Sequence, residues 1–512
     1  MPEPAAVYGI DPGVVTYATA VAEIARLAAE YATAGYGPGH RIGLMLENRP
    51  AFFMHWLALN RIGVSVVPLN PDLRPAELDY LCGHSEIVLG IAALPHLMGL
   101  RDAGGRVGFV TIMAGDRLPC APCPALDASP NGHSECALLY TSGTTGRPKG
   151  CVLSNEYYLR TGRWYNAIGG ITALRAGKER LLTPLPMSHV NAMAFSTLAM
   201  ILCGGCIIPL DRFHPRSWWD SVRKSGATIV HYLGVMPSML LAAPASGFDR
   251  GHHVRFGFGA GVDRRHHHVF EQRFGFPLLE AWSMTETGAG GVAIAHREPR
   301  HVGTSCFGRP DPWMLVRVVD DAGGPSPPDT LGELLVRAAG PDPHAGFFTE
   351  YLNDAEATCA AWDDGWFRTG DIVRQDAEGF LLFVDRKKNV IRRSGENISA
   401  VEVESVLRRH PCVAEVAVAA AADPIREEEV LACIVPRTPI PPGQAAETAA
   451  AIVTAALDDL SYFKVPGWVA FVEALPLTAS QKISRGELKA IARDLPGSPG
   501  CIDTRALKKR RA

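Results

Sequence analysis

Short apolar runs alternate with stretches of helical periodicity along the first half of the chain, and this alternation restricts the fold more than any other feature. A helix predicted over 50–62, with proline in its first turn, separates strand-like runs at 42–46 and 64–68. Further short apolar runs lie at 183–185, 206–210, 229–233 and 254–257. Alternating strands and helices are typical of βαβ units, so the sequence predicts mainly parallel sheets.

The pattern changes twice further along the chain. From about residue 308 the runs resemble antiparallel strands with turns rich in proline and glycine, and from about residue 385 strands and helices follow in a compact α+β order. We therefore predict an α/β fold with a large amino-terminal domain (1–384) of mainly parallel sheets and helices, including a small β-barrel-like part (308–384). A hinge (385–388) and a small, mobile α+β domain (389–512) complete the prediction.

Composition and charge exclude several function classes. The formal net charge of −3 predicts no nucleic-acid surface, and the sequence has no run of about 18 uninterrupted apolar residues that would predict a membrane span. The 12 cysteines show no disulfide framework. Two CxxC pairs, Cys120/Cys123 and Cys203/Cys206, are too far apart for the roughly 15–20-residue spacing of a zinc ribbon, so a metal site is the less favoured interpretation. Free cysteines are typical of a reducing compartment, so we predict a cytoplasmic protein. The basic run 508–511 is interpreted as a solvated terminus.

The stretch 140–150, which reads YTSGTTGRPKG, lies between two short apolar runs and is predicted to be a loop between strands. Its glycines allow backbone N–H groups to approach a ligand, and its hydroxyls and lysine suit a polyphosphate. It is not a Walker loop, because Lys149 follows proline and precedes Gly150 instead of serine or threonine. From composition alone, the stretch is equally typical of a hydrophilic surface hairpin.

The exact letters of this stretch resemble the phosphate loop of the AMP-forming, adenylate-forming enzymes, which include acyl-CoA synthetases, firefly-type luciferases and peptide-synthetase adenylation domains. The resemblance implies an ATP site, and five further motifs follow in the order of that family. In this first motif, the residues implied to contact the nucleotide are Thr141, Ser142, Gly143, Thr144, Thr145, Gly146 and Lys149. Thr145 and Glu286 are implied to hold Mg²⁺.

Two motifs resemble the adenine and acyl segments of that family. The stretch 278–288, LLEAWSMTETG, and a small-residue turn before it imply nucleotide contacts by Gly259, Ala260, Gly261, Glu280, Ala281, Trp282, Ser283, Met284, Thr285 and Glu286. Trp282 would stack on adenine and Thr285 would bind the α-phosphate. The stretch 184–195, PLPMSHVNAMAF, implies that His189 orients the substrate carboxylate. The implied acyl pocket consists of His189, Asn191, Tyr232, Phe258 and Gly259.

Three motifs resemble the carboxyl-terminal part of the family. In WFRTGDIV, Asp371 would accept both ribose hydroxyls, and Arg386 would reach the same sugar. Lys388 matches the hinge position, and a loop implied to line the path of CoA consists of Arg393, Ser394, Gly395 and Glu396. Lys482 matches the catalytic lysine, although Gln481 stands before it where the family usually has glycine.

The six motifs together imply an AMP-forming acyl-CoA ligase that uses Mg²⁺ with ATP and takes CoA as co-substrate, with catalytic roles for His189, Thr285, Glu286 and Lys482. A ligase that loads a carrier protein, luciferase-type oxidation and a catalytically silent nucleotide-binding relic stay open, as does a homodimer. Two segments, GAGVDRRHH and EAWSMTETG, look like those of crotonobetaine/carnitine-CoA ligases, which favours a small polar acid. A quaternary ammonium group would need aromatic walls. A fatty or aryl acid is the alternative substrate.

Overall fold

The computed structural model describes residues 14–73, 75–141, 148–320, 322–393, 396–423, 427–441, 443–460, 462–477 and 483–508. The chain divides into two compact units. The first comprises Met1–Arg317, Leu335–Thr369 and Gln375–Leu382, and the second comprises Val318–Leu334, Gly370–Arg374 and Phe383–Ala512. Within the described ranges, no helix is long and apolar enough to cross a membrane.

Helices and strands follow the alternation expected from the apolar pattern. The helices are α1 Tyr17–Thr33, α2 Pro50–Arg61, α3 Pro75–His84, α4 Leu97–Val107, α5 Asn155–Ala167, α6 Thr197–Cys203, α7 Trp218–Ser225, α8 Val235–Leu241, α9 Arg264–Phe274, α10 Ala355–Ala360, α11 Ala400–Leu407, α12 Ala445–Ala456 and α13 Arg485–Asp494. The strands are β1 Arg41–Met45, β2 Ser65–Pro68, β3 Leu89–Ala92, β4 Val110–Met113, β5 Glu135–Thr141, β6 Lys149–Ser154, β7 Arg180–Thr183, β8 Cys206–Pro209, β9 Ile229–Leu233, β10 Phe256–Ala260, β11 Leu278–Trp282, β12 Ala293–Ile294, β13 Met314–Val319, β14 Leu331–Ala338, β15 Glu350–Tyr351, β16 Trp362–Asp363, β17 Trp366–Gln375, β18 Leu381–Arg386, β19 Val390–Arg393, β20 Glu396–Ser399, β21 Val413–Asp423, β22 Glu427–Pro436, β23 Trp468–Phe471 and β24 Cys501–Asp503.

Two mainly parallel sheets form the first unit. One has the order β15–β6–β5–β2–β1–β3–β4, in which β1 to β5 pair in parallel and β6 and β15 run antiparallel to their neighbours. The other has the order β12–β11–β10–β9–β7–β8 and is parallel except for β12. Helices α3 and α4 cover the first sheet through buried leucines, and aromatic residues of α5 and the segment before α6 cover the second.

Alternation along β21 explains how the second unit buries both faces of its sheet. Val416 and Val418 pack in the cluster that contains α11 and α12, whereas Ala417 and Ala419 pack with Leu488 of α13. Successive side chains of a strand point to opposite faces, so a run without polar interruption predicts a strand covered on both sides. This sheet has the order β20–β19–β22–β23–β24 with β21 beside β22, and β22 and β23 pair in parallel. The strands β13, β14, β16, β17 and β18 form a fourth sheet.

The α/β fold with parallel sheets and a carboxyl-terminal α+β part is confirmed. One predicted boundary is wrong, because the run at 183–185 predicts a strand there and the structure places the strand at Arg180–Thr183. The domain boundaries given above remain predictions.

Candidate active site

The ends of the phosphate loop are held together by an antiparallel hairpin. Thr141 ends β5 and pairs with Lys149, which begins β6. The hairpin therefore brings the first and last polar side chains of the loop to the same edge of the sheet. The predicted loop residues between them, Ser142, Gly143, Thr144, Thr145 and Gly146, lie outside the described residues.

Glu286 lies at this edge, in the turn after β11, and is buried. Its Oε1 accepts a hydrogen bond from the hydroxyl of Tyr351 at 2.9 Å, and the hydroxyl of Thr141 lies 3.5 Å from the same atom. Burial and the neighbouring charge of Glu286 raise the pKa of Tyr351 far above its usual value, so Tyr351 stays a protonated donor. The backbone carbonyl of Glu286 accepts from the N–H of Phe348 at 2.8 Å, which fixes the turn.

Lys149 approaches the same tyrosine from the other end of the loop. Its Nζ lies 4.7 Å from the centroid of the Tyr351 ring and 3.8 Å from Oδ2 of Asp354. Tyr351 thus contacts Glu286 through its hydroxyl and Lys149 through its ring. Sequence analysis did not identify Tyr351, because it follows Glu286 by 65 residues and no local pattern joins them.

The carboxyl ends of β9, β10 and β11 form the second part of the site. Gly259 pairs in register with Tyr232 on one side and Glu280 on the other. A Cβ at Gly259 would lie 2.3 Å from the carbonyl oxygen of Tyr232, so only glycine fits there. The carboxylate of Glu280 accepts hydrogen bonds from the N–H groups of Gly261 and Val262, both at 2.8 Å, and so holds the turn that follows β10.

Glu280 is therefore a residue that shapes the backbone turn. Burial raises its pKa, while the hydrogen bonds from the two N–H groups partly lower it. Ala260, the last residue of β10, is exposed at this turn, and Gly261 has a φ of +77°, which glycine adopts without strain.

The turn after β11 carries the predicted adenine and α-phosphate residues. Trp282 is buried and stacks on Phe307 with ring centroids 5.9 Å apart. The N–H of Met284 donates to the hydroxyl of Thr287 at 3.0 Å, and the carbonyl of Thr285 accepts from the hydroxyl of Tyr157 at 2.8 Å. Ala281, Ser283, Met284 and Thr285 are all half-buried along this turn. The turn is thus fixed by neighbours on both sides.

The predicted acyl residues meet a buried histidine that sequence analysis missed. Oδ1 of Asn191 lies 2.6 Å from Nδ1 of His231, and the hydroxyl of Tyr165 lies 3.1 Å from Nε2. The His231 ring also stacks on Phe258 at 4.7 Å between centroids. The sequence could have pointed to His231 through its place in the strand IVHYL, directly before Tyr232. Strands of a parallel sheet are covered on both faces, so a histidine within such a strand is buried among packed neighbours.

The other acyl residues have distinct environments. Tyr232 is buried and donates its hydroxyl to the carbonyl of Leu279 at 3.1 Å, so it points along the sheet towards β11. His189 is exposed and lies just before the π-helical turn Asn191–Ser196. An exposed histidine at this position is accessible to a ligand, as its predicted role requires.

Burial lowers the pKa of His231 to about 3, so this residue makes stability depend on pH. Below about pH 6.5 the unfolded chain binds a proton at this histidine and the folded protein does not. The free energy of unfolding is therefore unaffected above about pH 6.5 and decreases as the pH falls towards 3. In urea titrations at pH 7 and pH 5, we expect His231→Gln to reduce the acid-induced loss of unfolding free energy by about 2 kcal/mol. An unchanged pH dependence would mean that His231 can be protonated in the folded protein.

In the second unit, Asp371 and Arg386 form a direct ion pair. Asp371 on β17 is buried, and its Oδ1 lies 2.7 Å from Nε of Arg386 at the end of β18. Next to Arg386, the carboxylate of Asp385 accepts from the N–H of Val401 at 3.2 Å and from the hydroxyl of Ser399 at 3.1 Å. The start of α11 is thereby fixed to the end of β18.

The predicted CoA-path residues are only partly described. Arg393 is buried at the end of β19, where its Nε donates to Glu429 at 2.9 Å. Ser394, Gly395 and Lys482 lie outside the described residues, as do the side chains of Lys388 and Glu396.

Two family models match successive stretches of the chain. The model described as AMP-binding enzyme matches residues 2–346, and the model described as AMP-binding enzyme C-terminal domain matches residues 402–482. The chain belongs to the AMP-binding enzyme family. This agrees with the motif order read from the sequence.

Relatives and solved structures are similar over nearly the whole chain. A crotonobetaine/carnitine–CoA ligase of Salmonella paratyphi B is 30% identical over 497 residues, which cover 93% of this chain and 93% of that protein. An o-succinylbenzoate CoA synthetase of Bacillus subtilis, solved with its acyl-adenylate intermediate, has a TM-score of 0.79 at 24% identity and covers 94% of each chain. A fatty acyl CoA synthetase of Mycobacterium tuberculosis has a TM-score of 0.68 at 26% identity and covers 93% of this chain and 92% of that one.

The family prediction and the classification as an AMP-forming acid–thiol ligase are therefore confirmed. The roles of individual residues remain predictions.

Proposed function

We propose that this enzyme activates a small, polar carboxylic acid with Mg-ATP and transfers the acyl group to the thiol of CoA. An oxygen of the carboxylate attacks the α-phosphorus, and the bond to pyrophosphate breaks. The thiol sulfur then attacks the acyl carbon, the bond to AMP breaks, and the thiol proton leaves to solvent. One observation carries this proposal. The hydroxyls of Thr141 and Tyr351 both face the carboxylate of Glu286, and Lys149 lies over the ring of Tyr351.

Charge at this edge suits the first step, in which two anions must approach each other. Lys149 provides a cation at the end of the loop, 4.7 Å from the Tyr351 ring centroid, and is proposed to hold the departing pyrophosphate. Lys482 is proposed to bridge the carboxylate and the α-phosphate. Positioning and charge neutralisation provide most of the rate enhancement in phosphoryl-type transfers.

The donor set around Glu286 fits Mg²⁺. Magnesium prefers carboxylate, phosphate and water oxygens and is held by one or two carboxylates together with substrate phosphates. Glu286 supplies one buried carboxylate beside the phosphate loop, and no cluster of three metal-ligating side chains occurs among the described residues. Glu286 and Thr145 would hold the ion, which would neutralise phosphate charge.

The nucleotide base and sugar are assigned to the remaining predicted residues. The small-residue turn at Gly259 and Gly261, fixed by Glu280, would let adenine lie close to the backbone beside Trp282. In the second unit, the carboxylate of Asp371 is proposed to accept the ribose hydroxyls, since a carboxylate has room for several donors besides Arg386.

Packed aromatic rings favour a small acid over a long fatty acid. The Phe258 ring contacts Tyr165 at 4.9 Å, Phe195 at 6.0 Å and Trp164 at 6.4 Å between centroids. All four residues are buried, so a long chain could pass Phe258 only if these rings moved. The acyl pocket is therefore proposed to be short and to have aromatic walls.

Aromatic walls and a neutral histidine also favour a substrate that carries a quaternary ammonium group. Aromatic faces attract such cations, and His231 stays uncharged because burial lowers its pKa to about 3. A charged imidazole at this place would repel the substrate. The 30% identity with a crotonobetaine/carnitine–CoA ligase supports the same choice. We therefore propose a carnitine-like acid, with other small or aryl acids as the second candidate.

A panel of acids in a pyrophosphate-release assay tests this proposal. We expect kcat/KM for crotonobetaine to be roughly tenfold higher than for its uncharged carbon analogue, 5,5-dimethylhex-2-enoate. This difference corresponds to about 1–2 kcal/mol, the scale of a partly desolvated cation–π contact. The two acids have the same shape, so the comparison isolates the charge. A preference for benzoate, octanoate or the uncharged analogue would contradict the proposed acid.

The acceptor is tested in the same reaction mixture. We expect AMP and an acyl-CoA thioester only when CoA is present. Pyrophosphate release that ignores CoA would favour a carrier-protein thiol, and formation of ADP would contradict the mechanism altogether.

A further inference from the structure

A buried cluster of three charged residues, Arg393, Glu429 and Lys508, lies in the second unit. Glu429 on β22 is 0% exposed at its side chain, and Arg393 and Lys508 contact it with exposures of 5% and 2%. Nε of Arg393 donates to Oε2 at 2.9 Å, and Nζ of Lys508 pairs with Oε1. The basic run at 508–511 was interpreted as solvated, and for Lys508 that interpretation is wrong. It could not have been corrected from the sequence, because the lysine meets its partner 79 residues away.

Other contacts show that this cluster is built into the fold. The N–H of Val430 also donates to Oε1 of Glu429, at 2.8 Å. At Gly467 a Cβ would lie 2.4 Å from the Glu429 carboxyl carbon, so glycine leaves the space that the carboxylate fills. Lys508 is brought to this place by the segment after β24, where the hydroxyl of Thr504 donates to the carbonyl of Pro466 at 2.8 Å.

The cluster fixes one particular part of the chain. Arg393 is the last residue of β19, and Ser394 and Gly395 follow it directly. Opposite charges in a dry site hold each other in one geometry, because leaving either one unpaired is very unfavourable. The carboxylate of Glu429 thus fixes Arg393 at the end of β19, and Lys508 fixes the carboxylate.

We propose that Lys508 and Glu429 are positioning residues for the thioester half-reaction, acting through Arg393 at the end of β19. The inference rests on the proposed function, with CoA as the acceptor, and on the predicted place of Arg393 along the path of CoA. Neither residue is assigned a contact with ATP or the acid. Losing Lys508 should therefore affect the use of CoA and leave acyl-adenylate formation intact.

Lys508→Met tests this inference, since methionine keeps the length of the side chain and removes the charge. It still leaves Glu429 paired with Arg393, so the carboxylate is not left alone. In thioester formation from supplied acyl-adenylate, we expect the KM for CoA to rise roughly tenfold, the lower end of the effect seen when a supporting residue is lost. The acid-dependent exchange of pyrophosphate into ATP should change less than about twofold, within the usual effect of a distant, independent site.

A matched control removes a lysine–glutamate pair from the same unit without touching β19. Lys464 pairs with Glu402 on α11 at 2.7 Å and is partly exposed. Lys464→Met should leave both half-reactions unchanged. A purely structural role for Lys508 would lower both half-reactions alike, and that result would overturn the proposal, as would an unchanged KM for CoA.

Two further measurements keep the test decisive. If Lys508→Met folds poorly, Lys508→Gln replaces it, because its amide can still donate to the Glu429 carboxylate without the charge, and a rise in the KM for CoA is again expected. Hydrogen exchange of the whole protein should be faster over β19 and β20 in either variant and unchanged over α9; no change over β19 and β20 would overturn the proposal. Failure of the proposed function would appear separately, as absence of acyl-CoA formation by the unmodified enzyme.

Discussion

Glu286→Gln is expected to lower acid-dependent pyrophosphate release by about a hundredfold or more, since loss of one preorganised charge contact costs roughly 3 kcal/mol in the transition state. Glutamine keeps the shape of the side chain, and its amide oxygen can still accept from the hydroxyl of Tyr351, which donates at 2.9 Å. The turn should therefore stay folded, and the change should act on charge alone.

Magnesium dependence separates this explanation from simple damage to the site. If Glu286 faces the ion, Glu286→Gln should shift the magnesium concentration for half-maximal activity upwards while the melting temperature stays close to that of the unmodified enzyme. Tyr351→Phe is the matched control, because it removes the donor to Glu286 and preserves the negative charge. We expect Tyr351→Phe to lower the rate of acid-dependent pyrophosphate release by roughly tenfold, which is the scale of one hydrogen bond to a charged group.

The two variants together decide the role of the carboxylate. An unchanged magnesium dependence in Glu286→Gln would return the residue to a structural role in the turn after β11. Equal losses in both variants, with magnesium dependence unaltered, would show that Glu286 acts by holding the turn and not as a ligand of the ion.

Local patterns in the sequence predicted the ends of the phosphate loop correctly. Thr141 and Lys149 are separated by a run of glycines and hydroxyls between two apolar strands, and such a run can close only as a hairpin. The six motifs and their order identified the family in the same way.

Residues joined only in three dimensions could not be found from one sequence. His231 meets Asn191 across 40 residues, and Tyr351 meets Glu286 across 65. Each of these residues lies in an ordinary local element, which is a strand, a turn or the π-helical segment. Only the fold shows that their polar atoms lie within hydrogen-bond distance.

Lys482→Ala and Gly395→Leu are expected to separate the two half-reactions. Lys482→Ala should reduce acyl-adenylate formation by roughly a hundredfold or more, because it removes a cation proposed to bridge two anions. It should largely spare thioester formation from supplied acyl-adenylate. Both residues lie outside the described ranges, so this expectation rests on the family resemblance and on their places in the sequence.

Gly395→Leu should have the opposite effect. A leucine side chain would occupy the space through which the pantetheine arm is proposed to pass, while exchange of pyrophosphate into ATP should remain nearly intact. The control is Lys464→Met, which changes a partly exposed residue that carries neither role.

The reason for expecting opposite effects is chemical. In the proposed mechanism, attack on phosphorus uses Lys482 beside the carboxylate, whereas attack on the acyl carbon needs an open path for a long thiol arm to the same place. One arrangement can hardly meet both needs, so we propose that the carboxyl-terminal domain adopts two, and closures of this kind commonly control turnover. Rapid-quench measurement of each half-reaction would decide. If both variants depress both half-reactions equally, a single closed arrangement must serve both steps, and the proposal of two arrangements is wrong.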